Sequence, residues 1–386
     1  MANPVAVLTA DTHLAPRSWA KHPGLAGDSY YGLEQVVDHC CANDIDLVLA
    51  GDVFDKTRPD PTTIWHIRRQ LDRMERNGMS VDYIQGQHEL DREHPWLTSV
   101  SRWPQHVHRK QFSLGPIVAY GIDWTPADTV QSEFEQIPEG TQLLIAHQVW
   151  RDLMGPRIGE SECQFADVPV VPMVLTGDFH RHLVLNLKNK DGQPLTVLSP
   201  GPLCMQSIDE DPRKQFFVIH DDMSIISIPL RVRQCFRFEI KTKDDLEIFL
   251  TGNVAQVVTP QDDVPEHIAK NIVHITYQDD IPEVFARINN AIGTQAHLFL
   301  VPVKPKQEIV TIETERRRAL ADGGLEACLE LLVERDKRLY NDTMSLLQCL
   351  NPSEQLKTMH ALFVQNFGEQ HDRGQVRVPG DVRGQG

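Results

Sequence analysis

Aspartates and histidines recur through the first half of the chain in short clusters, each directly after an apolar run. Asp11 and His13 stand two apart in LTADTH, and Asp52 and Asp55 close LVLAGDVFD. Gln87 and His88 follow VDYIQG, His147 ends LLIAHQ, and Asp178, His180 and His182 alternate in LTGDFHRH. Carboxylates and imidazoles without thiolates suit manganese, iron, zinc or magnesium at a hydrolytic centre. Two ions sharing one site about 3.5 to 4 Å apart need an oxygen ligand between them, and Asp52 is the natural bridge. Gly51 permits a tight bend that leaves that carboxylate exposed at the strand tip. Such a pair would activate a water, aim it at phosphorus and stabilise the nonbridging oxygens. Each cluster alone has a plainer meaning. A strand-end aspartate commonly caps a turn, Asp55 would orient a ligand or cap the next turn, and the histidines at 180 and 182 would suit a hairpin surface. Their joint order is what points to one site.

The elements that must position these residues read as short strands with helices between them. AVLTADTH, IDLVLAGD, MSVDYIQGQHE, GPIVAYGID, TQLLIAHQ and VPMVLTGDFH each pass from apolar residues into polar ones. A helix is expected from Leu33 to Ala42, and another after Pro59 and Pro61 with Ile64, Ile67, Leu71 and Met74 at helical spacing. Buried strands joined by helical crossovers imply a mostly parallel sheet core, with the chemical residues gathered beyond the C-terminal strand ends. Residues 193–211 read as containing a turn-rich loop, followed by strands in KQFFVIHDD and MSIISIPL. Beyond about residue 232 the pattern changes to a small α+β unit whose clearest strands are FRFEI and AHLFLVPV. After Pro305 two amphipathic helices are expected, one carrying Leu325, Leu329, Leu332 and Leu339, the next Leu356, Met359, Phe363 and Phe367. A Gly-, Arg- and Gln-rich tail closes the chain.

The length of 386 residues accommodates one large domain and a smaller companion. No apolar stretch approaches the roughly 18 residues of a membrane span, and the chain opens on a strand rather than a leader, so a cytoplasmic protein without membrane attachment is expected. Seven cysteines form no CxxC pair, which excludes thiolate metal knuckles and argues against a full disulfide scaffold. Acidic residues outnumber basic ones by 54 to 38, giving a net charge of −16. Nucleic-acid backbones are bound largely by Lys and Arg. A DNA-directed enzyme of this charge would lean on its metal ions or on a basic partner.

In this order, the clusters D-x-H, G-D-x-x-D, G-x-H-E, strand-ending His and G-D-x-H-x-H resemble the calcineurin-like metallophosphoesterase superfamily. Within it they are similar to the SbcD-like DNA repair exonuclease subunits, including phage relatives. The loop SPGPLCMQSIDED resembles the segment that follows the last histidines there. The resemblance implies an α/β fold: a metallophosphoesterase β-sandwich flanked by helices over residues 1–232, a small α+β capping, DNA-binding domain over 233–304, a C-terminal helical partner-binding region over 305–367 and a disordered tail over 368–386. It implies two divalent ions, most readily Mn²⁺, with Mg²⁺, Fe²⁺ or Zn²⁺ compatible with the ligand chemistry. Asp11, His13, Asp52 and His180 would hold the first ion. Asp52 would bridge to a second held by Gln87, His147 and Asp178, and His88 would stand at the scissile phosphate and protonate the departing sugar oxygen, or position the phosphate and assist transfer. Two positions depart from the pattern: Gln87 replaces an asparagine and Asp178 a histidine. Both fall on the second ion.

The implied partners are DNA, an SMC-like ATPase bound through the C-terminal helices, and a second copy of the chain. For the last contact the helix at 62–77, with Trp65 and Met74, is a candidate. His182 is either a contact supporting a ligand or a surface residue. Tyr120 and Trp124 would touch a base or pack at the rim, and Arg316, Arg317 and Arg318 would meet phosphate or pair with neighbouring glutamates. The implied activity is DNA exonuclease or endonuclease hydrolysis. A phosphoesterase acting on small molecules or protein phosphates is the alternative the acidity favours. An inactive scaffold is the alternative raised by Gln87 and Asp178.

Overall fold

The computed structural model describes residues 2–154, 163–189 and 191–304. The chain divides into two compact units, Met1–Val303 and Lys304–Gly386. The expected C-terminal helices and tail, together with Arg316, Arg317 and Arg318, lie outside the described residues.

Strands β1 (Pro4–Thr9), β2 (Asp46–Ala50), β3 (Val81–Ile84) and β4 (Gln105–His106) are followed by β5 (Gln111–Leu114), β6 (Ile117–Ile122), β7 (Leu143–Ala146), β8 (Met173–Thr176), β9 (Leu183–Lys188) and β10 (Pro194–Ser199). Then come β11 (Gln215–His220) and β12 (Ile225–Pro229). They build two six-stranded sheets, ordered β12-β11-β1-β2-β3-β4 and β5-β6-β7-β8-β10-β9. In each sheet the central strands run parallel, β1 with β2 and β3, and β6 with β7, β8 and β10; antiparallel strands close both edges of the second sheet and one edge of the first, whose other edge strand β4 runs parallel to β3. All the strands that end in chemical residues therefore point the same way within their sheet.

The sheets face each other through Ala6, Leu8, Val48, Ala50 and Ile84 on one side and Ala119, Leu143, Ile145, Leu175 and Leu198 on the other. The alternate residues of the first sheet, Val7, Leu47, Leu49, Val81 and Tyr83, pack under helices α1 (Gly27–Asn43) and α2 (Pro61–Arg76). Those of the second, Ile122, Leu144, Ala146 and Val174, pack against Phe134, Trp150 and Phe165. Burial on two faces is why these strands read as unbroken apolar runs rather than alternating ones. Helix α2 starts where its sequence dictates, with Asp60 accepting from the Thr63 amide at 2.9 Å and Pro61 in the first turn.

The small unit is a parallel sheet of β13 (Cys235–Ile240), β14 (Ile272–Gln278) and β15 (His297–Val303). One face is covered by Leu246, Phe249, Val257, Val284 and Ile288. Buried Arg233 secures it to the sandwich through both oxygens of Asp28 and the carbonyls of Gly24, His267 and Lys270.

Two side chains lie where the sequence did not put them. Met74 is fully buried under the first sheet, so of the pair expected to meet a second copy only Trp65, 58% exposed, faces outward. Tyr120 packs inside the core beside Phe134 and is not on the rim. No described helix is long and apolar enough to cross a membrane.

Candidate metal centre

Five strand ends converge on one point. Asp11 and His13 follow β1, Asp52 follows β2, Gln87 and His88 follow β3, His147 follows β7, and Asp178 and His180 follow β8. Asp11, His13, Asp52 and His147 are at most 2% exposed and form the floor. Gln87, His88, Asp178 and His180 are half-buried and face a cleft of about 1730 Å³.

Asp52 sits at the hub. Its Oδ2 lies 3.3 Å from His147 Nε2, 3.5 Å from His13 Nε2 and 3.9 Å from His88 Nε2. Its Oδ1 accepts from the His88 amide at 3.0 Å. Three overlapping groups are each close enough to share a cation: Asp11–His13–His180, His13–Asp52–His88 and Asp11–Asp52–His147.

Whether a cation fits here is decided by the atoms left over. Asp11 Oδ2, His13 Nε2, Asp52 Oδ2, Gln87 Oε1 and His147 Nε2 are all buried and have no hydrogen-bond partner. A buried unpaired oxygen or nitrogen is costly, and Asp11, His13, Asp52 and His147 belong to overlapping groups close enough to hold a cation. The opposite ring nitrogens are spoken for. His147 Nδ1 donates to the Ala50 carbonyl at 2.8 Å, His13 Nδ1 faces Asp55 Oδ1 at 3.1 Å, and His180 Nδ1 faces Glu210 Oε1 at 3.2 Å. Each contact fixes the ring and leaves Nε2 for the cluster. Gln87 donates to Asp178 Oδ1. The reverse amide orientation would set two oxygens against each other, so Gln87 Oε1 is the atom left free. The two positions that depart from the family pattern thus meet in one contact. The donor set of carboxylate, amide oxygen and imidazole fits two hard or borderline divalent ions.

The electrostatics ask for positive charge. Burial raises the Asp11 carboxyl above its ordinary value. Burial would do the same to Asp52, but the His147, His13 and His88 rings outweigh it and hold that carboxyl well below the usual range. Burial disfavours a charged His147 ring, yet Asp52, Asp11 and Asp178 prevail and push it up to about 10.

The backbone is bent to present these groups. Asp11, His13, Asp52 and Asp178 have φ of 50°, 39°, 50° and 68°, in the left-handed region that ordinary residues avoid. Gly177 leaves the room His147 needs: a Cβ there would lie 2.3 Å from Nδ1 and 2.8 Å from the Ala50 carbonyl. Gly177→Ala should therefore push the ring aside, with about 1 to 3 kcal/mol lost in metal-free denaturant unfolding and weaker Mn²⁺ uptake by titration. Wild-type uptake in that variant would show that the ring is not held where the structure puts it.

His182 is not drawn into the cluster. Its Nδ1 faces the Pro200 carbonyl at 3.1 Å, its Nε2 faces Ser227 Oγ at 2.8 Å, and its ring stacks on Phe217. Asp55 supports His13 and accepts from the Arg17 amide at 2.8 Å. Trp124 lines the cleft. Sequence reading missed Glu89, Gln206 and Glu210. Glu89 is buried, accepts from the Phe54 amide at 2.5 Å, and is pushed up to about 8 by burial and by Asp52. Its place in GQHE was the available signal. Gln206 Nε2 donates to the Asp11 carbonyl at 3.0 Å, and the available signal for it and for Glu210 was the loop SPGPLCMQSIDED, which contains both.

Comparison with known proteins agrees with the site. Residues 5–182 match the calcineurin-like phosphoesterase family profile. Over 179 residues the chain is 27% identical to the DNA double-strand break repair protein Mre11 of Haloferax volcanii, a match covering 45% of this chain and 40% of that protein. A solved structure from Thermus thermophilus aligns with 60% of this chain and all of its own, at 12% identity and a TM-score of 0.38. The strand ends that bear the converging atoms all lie within the matched residues 5–182, and the chain, distantly similar to Mre11, spans less than half the length of that relative.

Proposed function

We propose that the chain is a DNA nuclease that hydrolyses phosphodiester bonds with two divalent ions, Mn²⁺ foremost, as the nuclease subunit of an SMC-like ATPase complex in DNA repair, recombination or phage DNA processing. The size of the cleft carries this reading. At about 1730 Å³, with the ligand cluster at its floor and Trp124, Arg213 and Arg237 on its walls, it exceeds a small-molecule site. Such sites are typically about 300 to 1000 Å³. The similarity to a DNA double-strand break repair protein of Haloferax volcanii supports the same substrate.

In this reading Asp11, His13, Asp52 and His180 hold the first ion, and Asp52, Gln87, His147 and Asp178 the second. Bound there, the ions supply an activated water and neutralise the charge that builds on phosphorus. His88, with its side chain 41% exposed at the cleft, faces the departing sugar oxygen and hands it a proton. Residues 1–232 form the hydrolase, 233–304 steer DNA, and 305–367 engage the ATPase. Trp65 is the exposed side chain of α2 offered to a second copy.

The test is an assay of the full chain with Mn²⁺ on linear duplex DNA, circular single-stranded DNA and a generic phosphodiester. DNA hydrolysis that EDTA abolishes and Mn²⁺ restores is expected. Turnover of the generic ester alone would replace this reading with a small-substrate phosphoesterase. Silence on all three, with the ATPase partner supplied, would leave a scaffold.

A further inference from the structure

Two supports of the first ion's ligands, those of His180 and Asp11, rest on one loop, while Asp55 behind His13 stands outside it. Glu210 Oε1 faces His180 Nδ1 at 3.2 Å, while Lys214 Nζ holds Oε2 at 2.7 Å and the Gln206 amide approaches it at 3.2 Å. The carboxylate is thus pinned at its two oxygens and cannot rotate without releasing a buried lysine, 5% exposed. In the same loop Gln206 Nε2 donates to the carbonyl of Asp11. The loop is held in turn from the three-stranded sheet. Arg237, in β13, donates from one guanidinium nitrogen to the Ile208 carbonyl at 2.9 Å and to the Glu210 carbonyl. The supports at the second ion lie elsewhere: His147 hangs on Ala50, and Gln87 on Asp178.

We infer that Glu210 is a positioning residue for His180, and that Arg237 sets its place, so that the small unit tunes the affinity of one ion and not the other. The inference rests on the two-ion reading above. A carboxylate behind a ligating histidine fixes the ring and raises its basicity, and losing one typically weakens metal binding about 10- to 100-fold. Arg237 acts one step further out. It is exposed and makes no contact with a ligand, so its removal leaves the donor set intact and loosens only the loop.

The test is titration of the metal-free full-length chain with Mn²⁺, without substrate, for wild type, Glu210→Gln, Arg237→Ala and Arg237→Lys. Unfolding in EDTA identifies any variant that fails to fold. Two uptake events are expected for wild type. Glu210→Gln should weaken one of them about 10-fold, and Arg237→Ala should weaken the same one roughly threefold, as losing a modest hydrogen bond would. Arg237→Lys should recover part of the loss, since an ammonium can still reach one carbonyl. A folded Arg237→Ala chain that titrates like wild type overturns the coupling. Wild-type titration by Glu210→Gln overturns the positioning role, and equal weakening of both events overturns the selectivity. A wild-type chain that takes up no Mn²⁺ overturns the two-ion reading itself, and this inference with it.

Discussion

Asp52→Asn is expected to reduce hydrolysis by on the order of a thousandfold, the equivalent of about 4 kcal/mol of transition-state stabilisation. The substitution keeps the shape of the side chain and an oxygen to accept from the His88 amide, so the strand-end loop should survive. What it removes is the charge at the hub, where Oδ2 lies within 3.5 Å of His147 and His13. Asparagine offers one weakly charged oxygen where a bridging ligand must serve two cations. A second readout separates metal loss from a defect in chemistry. The wild-type unfolding midpoint should climb with Mn²⁺, the stabilisation reaching about 2.7 kcal/mol at a hundred times the dissociation constant. The variant should respond much less. Full activity in Asp52→Asn would remove this residue from the centre.

His88→Ala should behave differently. A general acid typically contributes about 10²- to 10⁴-fold, and a loss in that range is expected in kcat with Mn²⁺ uptake unchanged. The geometry sets this expectation. His88 Nε2 is 3.9 Å from Asp52 Oδ2 and its side chain is the more exposed of the two, 41% against 1%. Its backbone amide, which the substitution preserves, is what binds Asp52 Oδ1. Parallel rate and uptake measurements check it. A variant that loses Mn²⁺ in step with its rate would make His88 a ligand rather than a proton donor.

The parts of the molecule legible in the sequence are those where one strand and its tip carry the whole message. LVLAGD is apolar because β2 is covered on two faces, and it ends in Gly-Asp because the chain must turn and present a carboxylate. The same logic exposed β1, β3, β7 and β8. It failed at β9, whose residues Leu183–Lys188 alternate between half-buried and exposed at a sheet edge and so look like surface. β10 was hidden in a stretch rich in proline and glycine, although Leu195, Val197 and Leu198 are fully interior. Helix α1 begins at Gly27, ahead of the expected Leu33, through GDSYYG, which has few good helix formers. Tertiary packing overrides propensity there, with Ser29 and Gly32 buried. The contact of Glu210 was illegible for another reason. Its carboxylate meets His180 across 30 residues of chain, through a loop whose path depends on the return of β10. No local pattern encodes a contact of that kind.

Four positions of the candidate centre, Asp11, His13, Asp52 and Asp178, hold left-handed backbone that few residues other than glycine adopt. Each such conformation costs on the order of 1 kcal/mol, in a chain whose net stability is a small difference between large terms. Glycine at those positions would relieve the strain and delete the ligand in one step. Thermal robustness and turnover therefore compete for the same few dihedral angles, and a lineage screened for heat resistance alone would drift toward a firmer, empty sandwich.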